Sequence, residues 1–490
     1  MTKHRAKSNM ETSIFYKITV ATLFLVVIFF GFFRLSESPS FLFDEGWYFQ
    51  TSANLATTGI DGLQIAPGNV KHFSTFVTVG YPLIYPLGLW FKIFSIGVFQ
   101  ARFLMVLFII GFTAVSYLLV KRIYGNKIAL ATLAVIATFP PLYGNGKTVM
   151  GEVPGLFFLV SFLLCLTYVK QDFSKKKLFI ILAGIFAGLC VAVKPLFILL
   201  LPALLVGIVM EWRRKNLSLK EISIGVLSTL LPIVLWFIIQ FRLGDSISET
   251  LTYYANPYNL GNIYEIVFSN FKNLFVNVST LYTVFIFLVW AVVLIARIKS
   301  KVKIHVAEIV GFTFSLLILA AYLRTSGMYR YFFTAQAITL IFFPYSALCI
   351  SEIIGRKFAI WKSKKMFAAL IAVLCLLGVY QLCFDSWVAD TYASTKTSDL
   401  YEYFSDISTS TSVFFYHAPE VVPFMKGRNY YQYIINYYGS QGTESLDVLK
   451  DGKVDRVVVQ TVLFKENEKD IFKLYKERET LYKYSVLEKR

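Results

Sequence analysis

The chain has 490 residues and a net charge of +18, with 56% hydrophobic and only 16% charged residues. Soluble domains carry roughly 25% charged residues, whereas here the apolar excess is gathered into runs of about 20, long enough to cross a ~30 Å hydrocarbon layer as helices. This excludes a single soluble domain, a disordered chain and a disulfide scaffold. The five cysteines (Cys165, Cys190, Cys349, Cys375 and Cys383) lie in apolar runs, form no CxxC pair and read as small core hydrophobes.

In chain order, the apolar runs predict eleven spans, over 14–33, 102–120, 128–143, 154–169, 178–193, 196–210, 222–241, 279–296, 305–323, 331–353 and 366–385. Six short segments then share the side of the N-terminus: 1–13, 121–127, 170–177, 211–220, 297–303 and 355–365. Together they hold 23 Lys/Arg against three acids, Glu11, Asp172 and Glu211. Short loops with that bias stay cytoplasmic. The N-terminus is therefore expected inside and, with an odd span count, the C-terminus outside. Pro82–Phe94 must then be a helix on the outer surface, because counting it as a span would send KRIYGNK and QDFSKKK outside. The basicity belongs to the cytoplasmic rim, and no nucleic-acid partner follows from it.

MTKHRAKSNM precedes the first run without a small-residue cleavage site, so that run is read as an uncleaved span. Residues 386–490 carry 14 Lys/Arg and 15 Asp/Glu, nearly neutral, and change in texture. SVFFY and RVVVQ alternate like strands, and KDIFKLYKERETLYKY has the spacing of an amphipathic helix. The expected organisation is a polytopic α-helical membrane domain, 1–385, with a long first external loop at 34–101. A small extracytoplasmic α/β domain, 386–490, follows it.

The first external loop opens with SFLFDEGWYFQTSANLATTG. Asp44 and Glu45 sit just past the first span among Phe41, Phe43, Trp47 and Tyr48. A carboxylate at a membrane edge is costly unless used, paired or wet, and there it could serve as a general base on a hydroxyl. The alternative is a helix N-cap at Asp44, with Trp47 and Tyr48 as interfacial anchors. Glu152, in NGKTVMGEVPGLFF, is the second outer acid, five residues after Lys147; alone it reads as a first-turn acid before Pro154. Arg102, Lys194, Arg324, Arg330, Lys71 and His72 also fall on the outer side. Each alone reads as a snorkelling cation or a loop residue, and together they suit a phosphate. No HExxH, CxxC or acidic metal cluster occurs, so neither a metal nor a cofactor is expected.

Three segments carry a family resemblance: FDEGWYFQTSANLATTG, GYPLIYPLGLWFKIFSIGVFQARFLMVLF and GKTVMGEVPGLFFLVSFLL. They resemble the membrane half of GT-C glycosyltransferases. Within these, the similarity is to the dolichyl-phosphate-mannose-protein mannosyltransferase-like group, glycosyltransferase family 39, and its aminoarabinose-transferase cousins. AGLCVAVKPLFILLLPAL and MYRYFFTAQAITLIF resemble later family segments, so the similarity covers roughly residues 10–385.

The resemblance implies a catalytic carboxylate at Asp44 with Glu45 beside it, and a second acid at Glu152. It places family cations at Arg102, Lys194 and Arg330, with Tyr331 next to the last. One departure is that Gly80-Tyr81-Pro82 lacks the usual cation before the surface helix, so either Lys71 or His72 takes that place or the donor phosphate is held differently. Trp47, Tyr48, Tyr81 and Tyr331 are the aromatics expected around the sugar and acceptor. The implied activity is transfer of one sugar from a polyprenyl-phosphate donor to an extracytoplasmic glycan, lipid or protein, with inversion, at the plasma membrane. A transporter or flippase is the rival of a different class, but the notable charges lie at outer helix ends rather than at the midplane.

Overall fold

The computed structural model describes residues 2–73, 78–169, 175–241, 261–276, 278–358, 363–435 and 446–490. The membrane half starts with α1 (Thr2–Phe32) and continues through α2 (Phe43–Thr58), a hairpin of β1 (Leu63–Ala66) and β2 (Asn69–Lys71), and α3 (Tyr81–Phe94). Next come α4 (Val98–Tyr124), α5 (Asn126–Ala137), α6 (Pro140–Gly146), α7 (Glu152–Leu166), α8 (Lys176–Val193), α9 (Leu200–Arg213) and α10 (Leu219–Gln240). Helices at Ile263–Val276, Val278–Lys299, Val306–Tyr322, Arg330–Phe358 and Ser363–Cys383 complete it.

Among the described residues, eight helices are long and apolar enough to cross a membrane, or nine with α5 and α6 taken as one broken span. Those two are bent by 58° at Phe139-Pro140-Pro141, where proline removes backbone donors and keeps the preceding residue out of the helical region. α7 and Val306–Tyr322 are apolar but shorter. Ten of the eleven runs predicted from sequence overlap a single one of these helices, and 128–143 covers both α5 and α6 across their bend. All five cysteines are free.

α3 has 14 residues, about 21 Å at 1.5 Å per residue, too short for the hydrocarbon layer. It buries Leu83, Ile84 and Leu87 and leaves Leu89, Ile93 and Phe94 exposed. Its N-terminus docks on the end of α8, where Gly80 N–H donates to Val193 O at 3.1 Å. A Cβ on Gly80 would lie 2.0 Å from Ala192 O and 2.7 Å from the Trp236 ring, so a residue without a side chain is required there. In the bundle core Arg297 donates to both oxygens of Glu308 (2.7 and 2.9 Å), and the Trp290 indole N–H approaches the same carboxylate.

Beyond Trp387–Ala393 and Lys396–Ser405 lies a five-stranded sheet in the order β4-β3-β5-β7-β6. β3 (Val413–Tyr416) is parallel to both β4 (Tyr430–Tyr433) and β5 (Arg456–Gln460). β7 (Tyr484–Lys489) runs antiparallel to β5 and to β6 (Tyr475–Leu481). SVFFY and RVVVQ are strands, as their alternation predicts. KDIFKLYKERETLYKY is not a helix: Tyr475–Leu481 is an edge strand that turns through Tyr482, at φ +54°, into β7. Its helical spacing reflects Phe472 and Tyr475 reaching one core, while Lys476, Glu477 and Arg478 are exposed and charge the sheet edge against further pairing.

Candidate active site

α2 begins immediately after α1 and its turn, and its first residues carry the two adjacent acids. Leu42, not Asp44, is the N-cap position; the Glu45 carboxylate reaches back to Leu42 N–H at 3.2 Å. Asp44 is thus a first-turn residue with its side chain free of capping. Arg330, which opens the helix Arg330–Phe358, donates from Nη1 to Asp44 Oδ2 at 2.6 Å. Its Nη2 donates to Tyr331 Oη at 3.0 Å, and Met150 Sδ lies 3.9 Å from Nη1. Both members of the Asp44–Arg330 pair are 23% exposed.

The second outer acid is close by. Glu152 Oε1 accepts from Lys194 Nζ in a tight ion pair. Lys194 sits in the extended link between α8 and the 3-10 turn Pro195–Leu199. Gly151 lets that link approach, since a Cβ there would meet Lys194 Cβ at 3.0 Å and Val193 O at 3.1 Å. Electrostatics join the two pairs, because Glu152 and Asp44 both act on Arg330. Two carboxylates and two cations therefore share one cleft, contributed by α2, α7, the α8–α9 link and the start of Arg330–Phe358.

Glu45 and Arg102 are placed differently from the sequence expectation. Arg102 Nε and Nη2 donate to the two Glu45 oxygens at 3.0 and 2.9 Å, and Nη1 donates to Leu35 O at 3.1 Å. Val149 N–H also reaches Glu45 Oε1 at 3.2 Å. Both side chains are 0% exposed, so Arg102 has no open face for a phosphate. Its charge is consumed in fastening α4 to α2 and to the α6–α7 link.

The other expected residues divide. Tyr48 is buried, with its hydroxyl 2.9 Å from Thr78 Oγ1. Burial and then the Asp44 charge push its phenol well above the usual range, so it stays protonated beside the cleft. Tyr331 is in the cleft through Arg330. Trp47 turns away, packing against Phe43 (4.9 Å between ring centres) and against Leu63, Ile65, Phe73 and Ile434. Tyr81 donates weakly to Pro232 O on α10, at 3.4 Å. Lys71 is exposed on β2, 5.4 Å from the Phe73 ring centre. His72 bridges Asp61 O (2.9 Å) and Gln240 O (3.0 Å), tying the hairpin to the end of α10. Neither takes the place of the missing cation in any contact with Asp44 or Glu152.

The C-terminal domain also reaches α2, through residues no sequence signal marks. The His417 ring lies 4.7 Å from Phe43, and Gln50 Nε2 donates to Pro419 O at 2.9 Å. A Cβ at Gly46 would sit 2.5 Å from Pro419 O. Lys147 is buried, with Nζ donating to Phe33 O at 2.7 Å; burial and then the charge of Arg102 lower its pKa to about 7. A cavity of about 670 Å³ lies on the opposite face of α2, lined by Gln50, Asn54, Tyr401 and Arg428 among others, and none of the four charged cleft residues borders it. Among the described residues, no three His, Cys, Asp or Glu side chains are grouped as metal ligands.

The membrane bundle with acids and cations at one set of helix ends, joined to a small sheet domain, is a fold shared with solved structures. ArnT from Cupriavidus metallidurans in the apo state is 12% identical, with TM-score 0.64 over 95% of this chain and 97% of its own. The same protein bound to undecaprenyl phosphate gives 0.63 at 12% identity over the same shares. The Archaeoglobus fulgidus oligosaccharyltransferase AglB, in complex with an inhibitory peptide and a dolichol-phosphate, gives 0.56 at 12% identity over 94% of this chain and 71% of that one. No curated protein sequence matches the chain. Residues 82–239 match the family model described as dolichyl-phosphate-mannose-protein mannosyltransferase. The chain is thus a multi-pass helical membrane protein that shares the overall fold of these solved structures, with the mannosyltransferase family match confined to residues 82–239.

Proposed function

We propose that the chain transfers a single sugar from a polyprenyl-phosphate carrier to an acceptor on the outer face of the plasma membrane, with inversion. The observation that carries the reading is the neighbouring pair of ion pairs, Asp44–Arg330 and Glu152–Lys194. They set a carboxylate next to two cations at the outer ends of helices. The acceptor hydroxyl oxygen attacks the anomeric carbon as the bond from that carbon to the phosphate oxygen breaks. The bonding electrons leave with the phosphate, and the hydroxyl proton passes to Asp44. Arg330 and Lys194 stabilise the charge that grows on the leaving phosphate. Glu152 holds Lys194, and Tyr48 and Tyr331 border the reacting groups.

The ligands named for the similar structures, undecaprenyl phosphate and dolichol-phosphate, support a lipid-phosphate donor. The cationic bias of the six short loops supports the orientation: N-terminus inside, α2 and residues 386–490 outside. The acceptor is a glycan, lipid or protein hydroxyl or amine exposed there. The test is transfer of radiolabel from a purified polyprenyl-phosphate sugar by the full chain, with and without membrane-derived acceptor. Label that stays on the carrier under every acceptor condition would overturn the reading.

A further inference from the structure

Two ion pairs meet at consecutive residues of α2, and they differ in kind. Glu45–Arg102 is bidentate and fully buried, so exchanging its partner would strand a charge in the core. Asp44–Arg330 is a single contact between side chains 23% exposed, so its partners can be exchanged without stranding a charge out of reach of water. Arg330 Nε is buried with no hydrogen-bond partner among the described residues, and so is the second oxygen of Glu152. The guanidinium therefore keeps an unused donor, in a cleft whose cations are already matched one for one by carboxylates.

We propose that Asp44 is an internal place-holder for the donor phosphate, and that phosphate displaces Asp44 from Arg330 and so frees it to act as the base, while Glu152 stays on Lys194. This rests on the polyprenyl-phosphate reading above. A phosphate carries more charge than a carboxylate and presents several acceptor oxygens, so it wins the guanidinium. Held by Arg330, Asp44 has Oδ2 engaged; displaced, it has both oxygens for the acceptor hydroxyl. After transfer, the polyprenyl phosphate leaves, Asp44 gives its proton to water, and the pair re-forms. The base is thus engaged only while donor is bound, which makes binding ordered with donor first.

The measurement is the Kd of farnesyl phosphate for the purified full chain, with thermal unfolding as the check on folding. Asp44→Asn removes the competitor at nearly constant volume, so phosphate should bind about 3–10-fold tighter, the scale of a partly exposed ion pair that no longer has to be broken. Arg330→Gln should weaken binding. In the Arg330→Gln background, adding Asp44→Asn should change the Kd less than about twofold, because the coupling runs through Arg330. Arg330→Met, which also removes the charge, serves as that background if Arg330→Gln does not fold.

Unchanged or weaker binding in Asp44→Asn overturns the proposal, since Asp44 would then be steadying Arg330 rather than competing for it. Equal tightening in both backgrounds also overturns it, as plain repulsion between like charges would suffice. Wild-type protein that binds neither farnesyl phosphate nor a long-chain polyprenyl phosphate removes the donor reading itself, a separate failure.

Discussion

Arg330 Nη1 lies 2.6 Å from Asp44 Oδ2, joining the first turn of α2 to a helix that begins 286 residues later. The contact joins two helix ends of the bundle, and in the proposed reaction it sets the carboxylate that takes the hydroxyl proton beside the cation that holds the phosphate. Because Leu42 is the N-cap, Asp44→Asn leaves the helix start alone. Turnover is expected to fall by about 10²–10⁴, the range of a lost general base, with normal expression and melting temperature. Glu152→Gln tests the second acid in the same assay. Full activity in Asp44→Asn, or loss confined to Glu152→Gln, moves the base to Glu152.

Arg102 is expected to behave as a structural residue. Arg102→Ala leaves Glu45 charged and without its cation at 0% exposure, a loss of about 3–5 kcal/mol of stability. Replacing both partners, Arg102→Met with Glu45→Leu, should recover most of that, because an apolar pair of similar volume carries no desolvation cost. Thermal unfolding of the single and double variants in detergent decides it. Wild-type stability in Arg102→Ala, with weakened farnesyl phosphate binding, would restore the phosphate role.

Lys194 separates from Arg102 on the same scale of argument. Its amine faces Glu152 in the cleft, so Lys194→Ala should cost on the order of 2–4 kcal/mol in kcat/KM for the lipid donor, as for other fixed groups that stabilise developing charge. Donor kinetics give the answer; an unchanged kcat/KM in a folded Lys194→Ala protein would make Lys194 a partner for Glu152 only.

The motif around Asp44, Glu45 and Glu152 was legible because these are acids flanking apolar runs, where a charge needs a reason. The apolar runs themselves marked every long helix. Pairing was not legible. Arg102 and Arg330 look alike in sequence, each at the start of a helix, yet one is sealed against Glu45 and the other meets Asp44 in the open cleft. Only the tertiary arrangement, which brings Arg102 of α4 onto Glu45 of α2, decides which arginine is enclosed. Trp47 was read with its neighbour Tyr48, but successive helix residues point about 100° apart, and Trp47 faces the β1–β2 hairpin. Tyr475–Leu481 was misread because an edge strand with charged residues on both faces lacks the two-residue alternation of a half-buried strand.

Topology has its own test. A single cysteine at position 450, exposed on the C-terminal domain, should react with an impermeant maleimide in intact cells on a cysteine-free background. One at position 299, at the end of Val278–Lys299, should react only after lysis. The reverse pattern would put the cleft on the cytoplasmic side.

The last prediction concerns His417, where the C-terminal domain meets α2. Burial, then the charge of Lys483, lowers its pKa from 6.5 to about 4. Its Nδ1 accepts from Ile435 N–H at 3.3 Å, as a neutral ring can. A histidine depressed in the fold binds fewer protons there than in the unfolded chain, so the sign follows from linkage. The stability it contributes is complete above about pH 6.5 and is lost as pH falls from there through about 4. The shift corresponds to at most about 3 kcal/mol, and partial solvent access reduces that to on the order of 1–2 kcal/mol. Because the ring packs on Phe43, beside Asp44, acid should loosen the domain from α2 before the bundle unfolds. Melting temperature measured between pH 7 and 4.5 should fall more steeply in wild type than in His417→Gln, whose side chain gains no proton in that range. Parallel curves would show that His417 is protonated equally in both states, and that the domain's hold on α2 rests on Gln50 and Pro419 instead.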